Sequence, residues 1–198
     1  MKRKWETHEL AEHWTIDEEE QPLINKKRGA NRLGFVLLLK FFQLKGRFPE
    51  KKNEIPRVVR AFVAQQLAVD EEDSEQYDWA GRGIKRHRSE IRKRYGFHRM
   101  RANEFGSLRQ WLTDEIVPQA VGERQLKTLL YEELRERKTE PPTYGRMERL
   151  INSAYRQFES QLCDSIVQQL PAKCRRALDK LTGPQSDSWI LDADEIPL

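Results

Sequence analysis

The sequence predicts an all-α protein made of two consecutive small helical bundles. Three observations point there. Apolar residues recur at the 3.6-residue period of a helix along the chain, while alternating runs of the strand type are missing. Glycine and proline close the periodic stretches, as at Lys45-Gly-Arg-Phe-Pro49, Gly96, Pro118 and Lys138-Thr-Glu-Pro-Pro142. A basic, glycine-marked segment near residue 100 parts one group of helices from another, giving expected domains 1–100 and 101–183, with 184–198 as an acidic tail or the start of a linker.

In the first group, Trp5 to Trp14 reads as a short helix ending near Thr15, and Thr15-Ile-Asp-Glu18 as a capping box for a second short helix stopping around Pro22 to Asn25. Asn31 to Leu44 is apolar on nearly all sides, as expected of a bundle's central helix. Gly46 can take the left-handed conformation after it, and Pro49 blocks continuation. A fourth helix begins near Pro56, an allowed first-turn site, and turns Ile55, Val58, Val59, Phe62, Val63 and Leu67 toward the core. Asp70 to Glu75 is read as a loop or short turn. A fifth helix runs from about Gly81 to Tyr95, stopped by Gly96, with Phe97 placed to fold back.

The second group opens with Phe105, Leu108, Trp111, Leu112 and Ile116 on one helix, broken at Pro118. Leu126, Leu129, Leu130 and Leu134 define the next, from about Glu123 to Arg137, before a stiff turn at residues 138–142. From Thr143, Met147, Leu150, Ile151, Ala154, Tyr155, Phe158 and Leu162 line a long helix reaching Leu170. Pro171 starts a short last helix that ends by Gly183-Pro184.

Charged residues make up 34% of the chain and apolar ones 37%, with five Trp and eight Phe, a folded and highly charged composition. Two cysteines, Cys163 and Cys174, form no disulfide framework, and no signal peptide is read at Met1, so a reducing cytoplasm is expected. The most apolar run, Phe35 to Leu44, is interrupted by Lys40 and Gln43 and falls short of the ~20 residues a membrane span needs.

The net charge of +4 hides a strong asymmetry. Between Arg82 and Arg101 nine Lys/Arg residues face one acid, Glu90, a local +8 that leaves the rest of the chain at −4. At 100° per residue Ile84, Ile91 and Tyr95 fall within about 40° of one another. Lys85, Arg86, Ser89, Arg92 and Lys93 spread over the other side, Arg82 opens the helix, and Arg88 borders the stripe. A basic helix with one face anchored and the other free suits a polyphosphate, and double-stranded DNA is the leading candidate. The fourth and fifth helices form a helix-turn-helix-like pair, although the gap from Leu67 to Gly81 exceeds the usual turn of three or four residues. A solvated face or an acidic protein partner are the alternatives.

Lys26, Lys27, Arg28 and Arg32 form a smaller patch suited to backbone phosphates. Arg146, Arg149 and Arg156 lie away from the apolar stripe of the long helix, a candidate second DNA surface, and Thr143 is a possible cap whose helix end would face a phosphate. Phe41, Phe42, Phe62, Phe105, Trp111 and Phe158 read as core, Trp79 as a brace for the basic helix, and His87 as a polar residue on that helix's flank. Catalytic signals are weak: His8 and His13 are on different faces, His87 and His98 are far apart, neither cysteine has a CxxC partner, and HExxH, P-loop and GxSxG strings are missing.

Longer strings add a family resemblance. Arg32-Leu-Gly-Phe-Val-Leu-Leu-Leu-Lys-Phe-Phe-Gln-Leu44 with Gly46-Arg-Phe-Pro49 resembles the N-terminal region of transposases of the Tn-three family. So do Glu12-His-Trp-Thr15, Ile55-Pro56, Tyr77-Asp-Trp79, Gly81-Arg-Gly-Ile-Lys-Arg-His-Arg88 with Ile91-Arg92 and Gly96-Phe97, Trp111-Leu112, Glu123-Arg-Gln-Leu126, and Arg149-Leu-Ile151 through Arg156-Gln-Phe158. The resemblance runs from about residue 5 to 180. It implies sequence-specific binding to the terminal inverted repeats of a transposon through two successive helical modules. It also implies a bacterial, nucleoid-associated location and self-association through regions outside this chain. In that family a separate RNase-H-like domain cuts and joins strands with divalent metal such as magnesium. None of this chain's acids matches its catalytic residues, so no catalysis and no cofactor are expected here, and the short apolar run leaves no membrane partner expected either. A helical interaction or regulatory module of the transposition machinery, and a metal-dependent nuclease, are the other readings.

Overall fold

The computed structural model describes residues 4–119 and 122–182, so the acidic stretch 184–198 and the expected stop at Gly183-Pro184 lie outside the described residues. The fold is mostly helical. In chain order it comprises α1 (Thr7–Trp14), α2 (Gln21–Ile24), α3 (Ala30–Lys45), α4 (Arg57–Leu67), α5 (Asp73–Gln76), α6 (Arg82–Tyr95), β1 (His98–Arg99), α7 (Ala102–Trp111), α8 (Glu123–Glu136), β2 (Thr139–Glu140), α9 (Tyr144–Gln169) and α10 (Ala172–Thr182).

The first hydrophobic cluster is organised around α3, whose residues 33–42 are all buried because α1, α2, α4, α5 and α6 pack around it. A helix surrounded in this way needs apolar residues on every face, which is the composition read from its sequence. The one charge in that buried stretch, Lys40, is 3% exposed and bonds Glu20 at 2.7 Å and Asp17 at 3.1 Å, so the buried ammonium is compensated rather than isolated. Gly34 lets Tyr77 close over α3: a Cβ there would lie 2.3 Å from the tyrosine ring. Gly46 ends α3 at φ +67, as expected.

Two local expectations fail for identifiable reasons. The capping box lies at Asp17 and Glu20 rather than at Thr15 and Glu18. Thr15 instead donates its hydroxyl to Ala11 O at 2.6 Å, and Ile16 N is held by the Gln66 side chain, which delays the next turn by two residues. Val58, expected in the core, is 43% exposed, because the buried row of α4 follows Val59, Val63 and Leu67 and leaves Val58 at its edge. The acidic stretch after α4 contains the short helix α5.

The second cluster gathers Leu108, Leu112, Leu126, Leu130, Leu134, Met147, Leu150, Ile151 and Ala154 from α7 and the turn after it, α8 and α9. The chain continues from α7 through a wider π-type turn, Leu112–Ile116, and Pro118 falls in the 3-10 turn that follows. The long stripe on α9 stops packing sooner than its sequence suggests. From Glu159 onward no residue of α9 is buried, and Leu162 is 46% exposed.

The strands are the element the sequence hid. β1 and β2 pair in parallel, His98 with Thr139 and Arg99 with Glu140, where the chain leaves α6 and α8. Strands of two residues carry no detectable period. Together with Arg135 Nη2 donating to Gln43 O at 2.8 Å and Tyr144 N donating to Glu50 at 3.0 Å, they join the two clusters.

Replacing Gly34 with alanine should destabilise the protein by about 1–3 kcal/mol, since the Tyr77 ring must move. Gly106→Ala, where a Cβ meets nothing within 4 Å in mid-helix, should stabilise by about 0.5–1 kcal/mol. Urea unfolding of both variants checks the contrast.

Candidate nucleic-acid interface

α6 is bounded by two glycines. Gly81 is its N-cap, and there a Cβ would sit 1.7 Å from Asp78, whose carboxylate accepts from the N–H groups of Ala80 and Gly81. Gly96 closes the other end at φ +70, and Phe97 N donates back to Arg92 O at 2.8 Å. Phe97 then meets Phe42 edge-on at 4.9 Å, the fold-back expected from sequence.

The inner face buries Ile84 and Ile91, with Tyr95 half-buried beside Gln43. His87 is not a flank residue: it is fully buried between α3 and the Tyr77 ring. Its Nδ1 shares a 2.8 Å hydrogen bond with Tyr77 Oη. Burial, and to a lesser degree the cations Lys27 and Arg86, push its pKa down to about 4, so the ring is neutral at physiological pH. Trp79 braces the entry to α6, donating to Ser74 O at 3.1 Å and meeting Tyr77 edge-on.

The outer face exposes Arg82, Lys85, Arg86, Ser89 and Lys93 within an arc of about 100°. None of these four cations pairs with a carboxylate among the described residues. Ser89 lies between them, so cationic tips can reach a surface past a small polar centre. Lys26 and Arg28 are exposed on the loop before α3. That loop is held beside α6 by Lys27, whose ammonium bonds Glu90 at 2.6 Å and lies over the Phe35 ring. The one acid of the basic segment is therefore engaged by Lys27.

Several residues expected to be free are committed to the fold. Arg92, placed on the outward side by its sequence position, is 8% exposed and bonds Glu140 at 2.8 Å. Arg88 is half-buried, donating to Pro49 O at 2.7 Å over the Phe48 ring, and burial lowers its pKa. Lys27 and Arg32 are half-buried as well. The cause is tertiary: β2 brings Glu140 and the loop after α3 brings Phe48 and Pro49 against this flank, from 48 and 39 residues away.

On α9, Arg146, Arg149 and Arg156 are all exposed and fall within about 80° of one face. Arg146 and Arg149 share a cleft of about 450 Å³ with Arg109 of α7, a residue the sequence reading passed over because it stood alone among uncharged neighbours. The amino end of α9 is not open to a phosphate as expected. Thr143 makes no side-chain cap, and Glu50 already occupies the N–H of Tyr144.

Among the described residues no group of three or more His, Cys, Asp or Glu is disposed to hold a metal. Glu104 accepts from the Arg101 N–H and pairs with His98 at 2.6 Å, contacts that in that order hold its carboxyl below the ordinary value, and Cys163 and Cys174 are free and exposed. Among the described residues no helix is long and apolar enough to cross a membrane.

The described residues thus present a cationic helix face and no group of side chains disposed to hold a metal. Residues 1–154 match the family described as a domain of unknown function, DUF4158, and the chain belongs to that family, which is homologous to the N-terminal ends of Tn-three-family transposases. The transposase for transposon Tn501 of Pseudomonas aeruginosa is 25% identical over 194 residues, covering 96% of this chain and 20% of the relative. The transposase for transposon Tn3926 of Escherichia coli is 27% identical over 184 residues, covering 92% of this chain and 18% of the relative. The chain thus spans about one-fifth of the length of these relatives.

His87 supplies a pH test. Its folded pKa lies below the ordinary 6.5, so its contribution is complete above pH 6.5 and is lost as pH falls toward about 4. Chemical unfolding across that window should show a loss on the order of 3 kcal/mol, and His87→Phe should flatten that part of the profile. Glu140→Ala should cost on the order of 3 kcal/mol by stranding a buried guanidinium. Glu19→Ala, which removes an exposed partner of Arg94 at 3.5 Å, should cost less than about 1 kcal/mol.

Proposed function

We propose that this chain is a sequence-specific double-stranded DNA-binding region that recognises the terminal inverted repeats of a transposon as the N-terminal part of a transposase. The observation that carries the reading is the outer face of α6, where Arg82, Lys85, Arg86 and Lys93 are exposed and pair with no carboxylate among the described residues, on a helix anchored through Ile84, His87 and Ile91. The transposase relatives supply the biological setting.

In this proposal α4, α5 and α6 act as a helix-turn-helix-like unit, with α5 filling the long connection. The outer face of α6 enters a major groove, where arginine can bond guanine edges bidentately and Ser89 can bond a base edge. Lys26 and Arg28 hold the backbone alongside. Arg88, Arg92, Lys27 and Arg32 act one step back, seating the helix. Residues 1–100 and 101–183 serve as two consecutive DNA-binding domains, the second contributing Arg146, Arg149 and Arg156 and lengthening the recognised site. The chain needs no cofactor for this. Strand cutting and joining, with its divalent metal, belongs to a catalytic region outside this chain, as does self-association. The setting is the bacterial cytoplasm, at the nucleoid.

A second reading, a helical interaction module of the transposition machinery, is favoured by the exposed Leu162, Ile166, Val167, Leu178 and Leu181 on α9 and α10. Binding to a terminal-repeat duplex and a scrambled duplex at several salt concentrations separates the two. The DNA reading expects clear preference for the repeat, and a loss of about tenfold or more in a Lys85→Ala/Arg86→Ala/Lys93→Ala variant, with a shallower salt dependence. Equal, weak binding to both duplexes that the triple variant leaves unchanged would reject it.

A further inference from the structure

The cleft between α7 and the first half of α9 gathers a second set of cations, apart from those of α6. Arg109 enters it from α7, and Arg146 and Arg149 from α9, above a floor of Phe105 and Leu150 with Ser153 at the side. All three arginines are exposed, and none pairs with a carboxylate among the described residues. Like charges gathered without counter-charge raise the local potential, which an anion relieves.

We propose that this cleft is a phosphate clamp for the backbone of duplex DNA, with Arg109 as its third arm. The proposal rests on the DNA-binding reading and adds to it a residue and a division of labour. Two features favour backbone over base edges. The Arg146 guanidinium lies over the Phe105 ring, 4.6 Å from its centroid, and Arg149 donates through Nε to Gly145 O at 3.2 Å. Arg146 and Arg149, tethered in this way, are poorly placed to reach down a major groove about 8.5 Å deep, but they can meet phosphates that protrude from the duplex. A strand fits better than an isolated anion because the row continues along the same face of α9 to Arg156, about 15 Å from Arg146 at 1.5 Å per residue. Repeating phosphates engage the whole row, whereas one free phosphate would engage one end.

The test measures binding of the full chain to the terminal-repeat and scrambled duplexes across a salt series. Arg109→Ala should weaken both duplexes by a similar factor, leave their ratio unchanged, and lower the logarithmic salt slope by about 1; Arg109→Ala/Arg149→Ala should lower it by about 2. Gly106 lines the same cleft with nothing within 4 Å of a Cβ. Gly106→Glu, which places a carboxylate among the arginines, should therefore weaken binding more than the isosteric Gly106→Gln. Matching circular dichroism and unfolding curves confirm that each variant folds. If the wild-type chain prefers the repeat while Arg109→Ala and Gly106→Glu bind both duplexes as it does, the clamp is overturned and the α6 reading survives. If Arg109→Ala narrows the ratio between the duplexes, Arg109 reads bases and the backbone assignment is wrong. If the wild-type chain ignores DNA, the parent reading falls first and the clamp with it.

Discussion

The seating of α6 on α3 is the constraint from which the rest of the structure follows. Ile84, His87 and Ile91 can be buried together only in one rotation of the helix, and that rotation points Arg82, Lys85, Arg86 and Lys93 at solvent. Apolar burial of this kind is worth roughly 1.5–3 kcal/mol for each large side chain, against the mutual repulsion of exposed cations, which water and salt largely screen. The anchor therefore outweighs the repulsion, and the helix can carry an unneutralised face without leaving its core. Tyr77 completes the seat from above, reaching over Gly34 to bond His87.

Much of this was legible in the sequence because it is local. The ends of α3 and α6 follow from Gly46 and Gly96, and the buried side of α6 follows from the spacing of Ile84 and Ile91. What escaped depends on residues distant in the chain. Arg92 reads as one more cation until β2 brings Glu140 to it, and His87 reads as polar decoration until Tyr77 and Phe35 enclose it. The capping box slipped by two residues because Gln66, 50 positions away, claims the backbone of Ile16. Arg109 was illegible for the opposite reason: it belongs to no cluster in sequence and joins one only when α7 packs on α9.

The basic residues thus divide by depth. Those at the flank of α6 are consumed in holding the molecule together, through ion pairs, a carbonyl contact and aromatic rings. Those at its crest are unspent. Charge counting along a segment cannot make this distinction, because arginine serves as well for internal bracing as for external recognition.

The parallel ladder between residues 98–99 and 139–140 has a mechanical consequence. It and its neighbouring contacts, Arg92 with Glu140, Arg135 with Gln43 and Tyr144 with Glu50, are hydrogen bonds and charge pairs. Water and ions can substitute for the exposed members of this set, Arg135 with Gln43 and Tyr144 with Glu50, more readily than for the buried Arg92–Glu140 pair, which salt screens far less. The joint between the two halves is therefore sensitive to the ionic medium at its exposed rim, and concentrated electrolyte would loosen those outer contacts at the same time as it strips the protein of any polyanion it holds.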